Sequence, residues 1–313
     1  MKKMIAVTIV ALMVMLCVVA AGFGTGAVRS SDTIAAFPVN TEDARVSYLG
    51  PEGTYAEEAA RFFFPTGRLQ PQATAEEAIA AVTAGDADYA VIPMENTLGG
   101  AVTNHVDNLI SQKNIYVVGE VILPIRQTLM GVPGATLDDI QTVCSHAQGI
   151  LQSEAWREEH LPDAVTQEMT STAAAASYVA ETGDKTIGAV AAPGAAELYG
   201  LEVLAEDVQI TDANKTRFYV LSYARLEGGT QTRAVFVATC GANRIDDILL
   251  DIRNDGMELV TILNRPEGSR LGTYYYLIEV ETNGKLTQKR LERLAGMPEV
   301  RFLGDFDVME KQP

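Results

Sequence analysis

Apolar and polar residues alternate with two different periods along the chain between Arg45 and Ser222. Short apolar runs, which are typical of buried strands, predict strands at 46–49, 89–92, 116–123, 128–132, 142–144, 186–191 and 217–222. Apolar residues at helical spacing and Ala-rich stretches with capping residues predict helices at 54–63, 74–85, 102–110, 147–160, 171–181 and 194–199. This alternation predicts an α/β fold with a largely parallel sheet, in which ligands bind at the carboxyl ends of the strands.

A second pattern follows a glycine-rich break at 226–230. It predicts, in order, a strand at 235–240, a helix at 245–254, strands at 259–263 and 274–281, a helix at 286–296 and a strand at 300–306. This βαββαβ order is that of a ferredoxin-like fold. Because the segment carries no cluster of catalytic groups, we expect it to be a binding or assembly module.

The first 27 residues differ in character from the rest of the chain. Lys2 and Lys3 precede an apolar run from Met4 to Ala21, and small residues follow at 22–27, a pattern typical of a secretory signal peptide. The run is close to the shortest length that spans a membrane, so an uncleaved anchor is the alternative. In either case we expect the folded part to be exported, periplasmic or extracellular, and to follow a linker at 28–44.

Composition and charge argue against some classes of function. The 313 residues are enough for two folded domains, and 41 acidic against 24 basic residues give a net charge of −17. Such a surface repels phosphate backbones, which argues against nucleic-acid binding. Three histidines without HExxH or CxxC spacing argue against a metal site. Cys144 and Cys240 are predicted to be buried free thiols in two separate domains.

Polar residues concentrate where predicted strands meet helices. They lie at Gly50–Thr54, Glu95–Thr97, Ser145–Gln148 and Thr170–Thr172, and Thr216-Arg217-Phe218 opens a strand. Helix N-termini carry free N–H groups that suit carboxylates, and an arginine could add a planar fork. Each position also has a purely structural interpretation. Ser145 with Gln148 fits a capping box, Ser171 or Thr172 fits a helix cap, and Glu95 with Asn96 fits a turn. Arg217 likewise fits a surface ion pair.

Five ordered segments resemble the prephenate dehydratase family. They are YLGPEGTYAEEAA (48–60), AVIPMENTLGGAV (90–102), VCSHAQGILQ (143–152), STAAAA (171–176) and AAELYGLEVLAEDVQITDANKTRFYVL (195–221). Together they identify residues 45–224 as similar to the catalytic region of that family. Residues 231–308 resemble an ACT domain, with GAN (241–243) and LNRP (263–266) where regulated members carry GAL and ESRP. Gln127 stands where family members often carry His.

The resemblance implies a two-lobed, periplasmic-binding-protein-like catalytic region with a ligand cleft between its lobes, followed by the ferredoxin-like ACT domain. It implies the decarboxylating dehydration of prephenate to phenylpyruvate in phenylalanine biosynthesis, without a cofactor, and with arogenate as a further substrate. The partners implied are the small-molecule substrate prephenate and a weakly bound amino-acid effector. ACT domains would join the chains into a homodimer or a homotetramer.

The same resemblance assigns roles to individual residues. Catalytic roles fall to Thr216, Glu95 and Asn96. Substrate-binding roles fall to Arg217, expected to pair with a carboxylate, and to Phe218, Ser145, Gln148, Thr172, Thr54 and Thr97. The allosteric positions are Gly241, Ala242, Asn243, Asn264, Arg265 and Pro266. Changes in their motifs, Leu263 with Asn264 above all, predict weak or absent inhibition by phenylalanine.

A second hypothesis comes from a different class of protein. An exported binding protein could hold a small carboxylate in the same cleft without converting it.

Overall fold

The computed structural model describes residues 34–35, 41–226, 231–282 and 288–312, so the predicted signal peptide at 1–27 lies outside the described residues. The strands are β1 (Ile34–Ala35), β2 (Arg45–Leu49), β3 (Arg68–Gln72), β4 (Tyr89–Asn96), β5 (Gly100–Ala101), β6 (Tyr116–Pro124), β7 (Thr128–Gly131), β8 (Thr142–Ser145), β9 (Val165–Glu168), β10 (Ile187–Ala191), β11 (Glu202–Ala205), β12 (Lys215–Ser222), β13 (Arg225–Leu226), β14 (Arg233–Gly241), β15 (Glu258–Pro266), β16 (Thr273–Glu281), β17 (Val300–Phe306) and β18 (Val308–Glu310). The helices are α1 (Tyr55–Phe63), α2 (Ala75–Ala84), α3 (Thr103–Ser111), α4 (Ala147–Gln152), α5 (Glu154–His160), α6 (Thr172–Thr182), α7 (Gly194–Tyr199), α8 (Ile245–Asn254) and α9 (Gln288–Ala295). No helix among these residues is long and apolar enough to cross a membrane.

Lobe 1 is built on a sheet with the strand order β18-β6-β12-β4-β2-β3, and β5 pairs with β4. β2 is parallel to β3 and β4, whereas β12 is antiparallel to both of its neighbours, β4 and β6. Helix α1 packs through Ala59 and Phe63 on the face that carries Phe218. Helices α2 and α3 cover the opposite face, where Ile79 and Leu109 pack. Strand β12 therefore lies in the middle of lobe 1 with a packed layer on each side.

Lobe 2 is built on a second sheet, with the strand order β11-β7-β10-β8-β9. β8 is parallel to β10 and β9, and β7 is antiparallel to β10 and β11. The chain passes between the lobes twice, at 125–127 and 206–214. These crossings are hydrogen-bonded to each other, from Ile125 N to Asn214 O at 2.8 Å and from Val208 N to Gln127 O at 2.9 Å. The two lobes are thus joined by a pair of crossing segments held side by side.

A C-terminal module follows, in the order βαββαβ that the sequence predicts, with the strand order β15-β16-β14-β17 and all pairs antiparallel. The predicted helix at 245–254 is confirmed as α8, which packs through Ile248 and Ile252 on Phe236 and Ile278. The other face of this sheet packs on the core of lobe 1. The chain then returns to lobe 1, where β18 pairs in parallel with β6.

Three features differ from the sequence prediction. Both sheets are mixed rather than largely parallel, because β7 and β12 run antiparallel to their neighbours. The single helix predicted at 147–160 is divided at Ser153, whose hydroxyl donates to the carbonyl of Gly149 at 2.8 Å. Seven strands were not predicted: β3, β9 and β11 carry exposed residues at the sheet edges, and β1, β5, β13 and β18 are only two or three residues long. Within the predicted linker, β1 pairs in parallel with β13.

The two predicted free thiols are confirmed. Cys144 lies buried in β8 and Cys240 lies buried in β14, and neither forms a disulfide.

The module and lobe 1 meet backbone to backbone at Gly304 of β17. Gly304 has a φ of +149°, and a Cβ added there would collide with the backbone carbonyl oxygen of Val117 in β6. Only a residue without a side chain allows these two strands to approach so closely. This contact fixes the distance between the module and lobe 1.

Gly304→Ala is therefore expected to lower the free energy of unfolding by about 3 kcal/mol or more, because the clash adds to the backbone strain. Gly268→Ala is the matched control, since Gly268 also has a positive φ, +94°, but nothing lies within 4 Å of its added Cβ. That variant should lose only about 1–2 kcal/mol. Urea denaturation of both variants measures the difference, and equal losses would contradict the role of the backbone contact.

Candidate functional site

A cleft of about 470 Å³ lies between the two lobes. Lobe 1 contributes the carboxyl ends of β2 and β4, the beginning of β12 and the first turn of α1, and lobe 2 contributes the first turns of α4 and α6. Six of the residues assigned from sequence line this cleft: Thr54, Asn96, Gln148, Thr172, Thr216 and Phe218. Because β12 is antiparallel to β4, its N-terminal end meets the carboxyl end of β4, which brings Thr216 beside Asn96.

The hydroxyl of Thr216 is oriented by Asn96. Asn96 Nδ2 donates to Thr216 Oγ1 at 2.9 Å. Asn96 Oδ1 accepts from the backbone N–H groups of Leu98 and Gly99, each at 2.9 Å, so these two bonds fix which way the amide points. Thr216 Oγ1 has no other partner within the described residues, and its own hydrogen is free to donate into the cleft. The side chain is only 9% exposed, so this donor is shielded from bulk water.

Two of the three helices that begin at the cleft, α1 and α6, are capped by a hydroxyl group. Thr54 caps α1 and accepts from the N–H of Glu57 at 3.4 Å, and Ser171 caps α6 and accepts from the N–H of Ala174 at 2.9 Å. The interpretation of Ser171 as a cap is thus confirmed. The first N–H groups of a helix have no intrahelical partner and carry a partial positive charge. Two such helix ends facing one cleft suit a ligand with two carboxylates.

Gln148 of lobe 2 lies against the backbone of lobe 1. A Cβ added to Gly99 would lie 2.6 Å from Gln148 Nε2, so the lack of a side chain at Gly99 allows the amide to approach. The predicted capping box of Ser145 with Gln148 is wrong. His146 caps α4, with its Nδ1 accepting from Gln148 N at 3.3 Å. Ser145 is fully buried outside the cleft lining and donates to the carbonyl of Val190 at 2.6 Å, which ties β8 to β10.

Three amide side chains at the site were not assigned from sequence. Gln127, only 2% exposed, lines the cleft and donates from Nε2 to Gln152 Oε1 at 3.0 Å. Its own Oε1 has no partner among the described residues. Asn214 Oδ1 accepts from Asn96 Nδ2 at 2.8 Å. The sequence carries a signal for two of them, because Gln152 follows Gln148 by one helical turn and Asn214 precedes Thr216 by two residues.

Among the described residues, no carboxylate, ammonium or guanidinium group lines the cleft, and its one imidazole is that of His146. An anionic ligand would therefore be held by hydroxyls, amides and helix N-termini. Nor does any group of three or more His, Cys, Asp or Glu side chains in the described ranges have an arrangement that could hold a metal ion.

Arg217 and Glu95 lie away from the cleft. Successive side chains of a strand point to opposite faces, so Arg217 faces the C-terminal module while Thr216 faces the ligand space. Arg217 Nη1 lies 2.8 Å from Glu279 Oε2 and 3.8 Å from Glu95 Oε2, and its Nε lies 3.4 Å from Glu120 Oε1. The structure thus does not bring these two predicted site residues to the cleft. The interpretation of Arg217 as part of a surface ion pair is also wrong, because Glu120 and Glu279 are fully buried.

These charges form a buried network between lobe 1 and the module. Glu279 also accepts from Arg233 Nη1 at 2.8 Å and from the Tyr219 hydroxyl at 2.7 Å. Burial and the neighbouring Glu279 raise the pKa of the Glu120 carboxyl to about 8, against the attraction of Arg217 and Arg233. Burial lowers the pKa of Arg217, but the attraction of Glu120 and Glu279 outweighs it and holds that pKa above its usual range.

The remaining assigned residues also lie outside the cleft lining. Thr97 donates to the carbonyl of Ala213 and accepts from Lys215 N, both at 3.0 Å, so its hydroxyl joins two loops of the protein. In the module, Arg265 forms a bidentate pair with Asp107 of α3 at 2.6 and 2.7 Å.

The other predicted allosteric positions surround that arginine or the β14–α8 turn. Asn243 folds over Gly241, because a Cβ added to Gly241 would lie 2.8 Å from Asn243 Oδ1. Ala242 N donates to the carbonyl of Gly272 at 3.3 Å. Asn264 and Pro266 are exposed on β15.

Comparison with known proteins identifies relatives of this chain. The sequence model of the family described as Prephenate dehydratase matches residues 46–225. A prephenate dehydratase of Lactococcus lactis subsp. cremoris (strain MG1363) is 31% identical over 274 residues, which cover 84% of this chain and 98% of that protein. The crystal structure of a prephenate dehydratase from Arthrobacter aurescens in complex with L-Phe is similar with a TM-score of 0.76 and 32% identity, covering 84% of this chain and 90% of the other. GqqA, named as a quorum quenching acylase, is similar with a TM-score of 0.75 and 26% identity over 84% of this chain and 98% of its own.

Proposed function

This chain belongs to the prephenate dehydratase family, and on that premise we propose that its cleft converts prephenate to phenylpyruvate. Prephenate is a cyclohexadiene with a ring carboxylate, a pyruvyl side chain and a ring hydroxyl. In the reaction the bond from the ring to its carboxylate breaks, its electron pair enters the ring, and the hydroxyl leaves as hydroxide, which takes a proton from solvent and becomes water. The products are phenylpyruvate, carbon dioxide and water. Because the ring becomes aromatic, the reaction needs orientation and one well-placed hydrogen-bond donor rather than a cofactor.

The observation that carries the proposal is the geometry of Thr216. A threonine hydroxyl is too weak an acid to give up its proton to the leaving group by itself. As a fixed donor, however, it forms a hydrogen bond that strengthens while negative charge develops on the departing oxygen. Asn96 occupies the acceptor side of Thr216 Oγ1 at 2.9 Å, which leaves the donor side for the ligand. This arrangement supports a role for Thr216 at the ring hydroxyl.

The absence of an arginine from the described lining of the cleft also supports this reaction, because it suits the loss of the ring carboxylate. An arginine on the departing carboxylate would stabilise the ground state more than the transition state, in which that charge has moved into the ring. The first turns of α1 and α6 offer partial charges that hold the two carboxylates with a smaller penalty of this kind. The position of Arg217, ion-paired with Glu279 at 2.8 Å outside the cleft lining, agrees with this requirement. Arg217 therefore pairs with Glu279 of the protein and not with a substrate carboxylate in this proposal.

Turnover by the purified protein tests the proposal. Incubation with prephenate is expected to produce phenylpyruvate, followed by its absorbance, and Thr216→Val should lower kcat about 10²–10³-fold with little change in KM. Valine has nearly the shape of threonine and carries a methyl group in place of the hydroxyl. Thr216→Ser, which restores it, should recover most of the activity. Parallel assays with arogenate, followed by phenylalanine release, compare the two substrates.

Two results would contradict these assignments. A Thr216→Val variant that retains more than about half of the turnover would remove Thr216 from its role. A wild-type protein that binds prephenate in calorimetry but forms no phenylpyruvate would favour the binding-protein hypothesis. Binding and turnover have to be measured separately because one fold supports several chemistries, and a similar structure is named for acylase activity.

We further propose that residues 231–308 are an ACT domain that binds an amino-acid effector weakly and joins chains into a homodimer or homotetramer. The βαββαβ order supports this, and the similar structure from Arthrobacter aurescens contains L-Phe. Arg265 is already engaged by Asp107 at 2.6 Å, and Leu263 and Asn264 replace the residues of regulated members. The dissociation constant of phenylalanine should therefore be about 1 mM or weaker. A titration in a calorimeter measures it, and micromolar binding would contradict this expectation.

Export is the third proposal, and it rests on Lys2, Lys3 and the apolar run from Met4 to Ala21. We expect cleavage between Ala21 and Ala27. Mass spectrometry of the protein from its native host should find a mature N-terminus in that window. An intact Met1 in the cytosolic fraction would rule export out, and an intact Met1 in the membrane fraction would instead favour an uncleaved anchor.

A further inference from the structure

Both chain neighbours of Thr216 are ion-paired with carboxylates from the C-terminal part of the chain. Lys215 Nζ lies 2.5 Å from Glu310 Oε1 of β18, and Arg217 Nη1 lies 2.8 Å from Glu279 Oε2 of β16. The first pair is about 40% exposed on each side, so water and salt screen it and it contributes little. The second pair is different, because Glu279 is fully buried and Arg217 is only 17% exposed. The buried pair is the one that can hold the strand in place.

We propose that Arg217 is a positioning residue, which anchors Thr216 through Glu279 so that the C-terminal module is a working part of the catalytic site. This inference rests on the proposed function. The backbone ladder alone holds Thr216 incompletely, because the pairing of β12 with β4 shifts register between Arg217 and Phe218. An irregularity of this kind re-aims the adjacent side chains and interrupts the ladder. A side-chain anchor one residue away compensates for that interruption.

The anchor on the module is itself firmly held. Glu279 accepts hydrogen bonds from Arg217, from Arg233 at 2.8 Å and from the Tyr219 hydroxyl at 2.7 Å. Three donors satisfy a buried carboxylate that would otherwise be costly. Arg233 and Glu279 come from neighbouring strands of the module, β14 and β16, so the anchor is built on its sheet rather than on a loop. The position of Thr216 is thereby tied to the sheet of the module.

Glu120 of β6 competes with Glu279 for the same arginine. The groups that face this network are Arg217 and Tyr219 of β12, Arg233 of β14, Glu279 of β16, Glu95 of β4 at Arg217 and Glu281 of β16 at Arg233. The pKa of Glu120 is raised to about 8 by burial and by Glu279. Below that pH Glu120 is neutral and leaves Arg217 to Glu279, and above it the ionised carboxylate draws Arg217 towards itself. Turnover should therefore fall as the pH rises through about 8.

The test compares Arg217→Met, Glu279→Gln, their double variant and Asp107→Asn in the full-length protein. Glutamine has the shape of glutamate, so Glu279→Gln removes the charge with little change in packing. Asp107→Asn is the matched control, because it breaks another arginine–carboxylate pair between lobe 1 and the module, far along the chain from Thr216. The two anchor variants should lower kcat about 10- to 100-fold with KM within about twofold of wild type. The kcat of the double variant should be about that of the less active single variant, because the two substitutions remove the same interaction.

The pH profile separates positioning from a general loss of structure. Glu120→Gln should abolish the fall in kcat near pH 8, and Glu279→Gln should move the titration of Glu120 to lower pH, because it removes a neighbouring negative charge. A purely structural network would change the thermal midpoint without changing the profile.

Several results would overturn the inference. Arg217→Met with raised KM and unchanged kcat would mean that the arginine binds substrate after all. Glu279→Gln with wild-type kcat and pH profile, or Asp107→Asn with an equal loss of kcat, would remove the specific anchor. If the wild-type protein shows no turnover of prephenate, the proposed function fails by itself. Hydrogen exchange of the backbone amides of residues 215–222 then tests whether Glu279 holds the strand in place. The exchange rate should increase in Glu279→Gln but not in Asp107→Asn.

Discussion

The side-chain alternation of β12 is the constraint on which the rest of the structure depends. A strand presents successive residues to opposite faces. In β12, Thr216 and Phe218 face the cleft while Arg217 and Tyr219 face the C-terminal module. One short strand therefore contributes side chains both to the cleft and to the buried charged network. A shift of register by a single residue would put the cation into the ligand space and the hydroxyl into the ion-pair network. The antiparallel neighbours β4 and β6 oppose such a shift, although the pairing with β4 is irregular between Arg217 and Phe218 and that with β6 between Val220 and Leu221.

Charge is separated in space by this arrangement. The described residues that line the cleft include no Asp, Glu, Lys or Arg, whereas two arginines and two glutamates meet behind it, where Glu120 and Glu279 are fully buried. Burying such a group of charges costs desolvation, and the paired network offsets that cost only because its geometry satisfies most of its atoms. One oxygen, Glu120 Oε2, has no partner among the described residues, which agrees with the raised pKa of that carboxyl. The charged groups of the network thus lie next to the cleft in sequence but on the opposite face of the strand.

The sequence predicted most of the elements but not all of the site. The periodic signals of the central strands and of α8 were strong because those elements are buried on one or both faces. Edge strands such as β9, with four exposed residues, carry no such signal. The roles of Thr216 and Arg217 could not be separated from their motif alone, since adjacent residues in a strand have opposite environments that depend on tertiary packing. The strand period was itself visible in the sequence, and it would have placed Asn214, Thr216 and Phe218 together on one face.

The chain returns to lobe 1 after the C-terminal module, so the module is connected to the lobe 1 sheet at both of its ends. Strand β18 lies beyond the module in sequence and is nevertheless a member of the lobe 1 sheet, parallel to β6. The module is therefore an insertion between two strands of one sheet, β12 and β18, rather than a detachable appendage. Truncating the chain before the module would also remove β18 and leave β6 with an open edge, ready to pair with other chains. A graft of a different module at this place would have to preserve both covalent connections, so that β18 keeps its place beside β6 in the lobe 1 sheet.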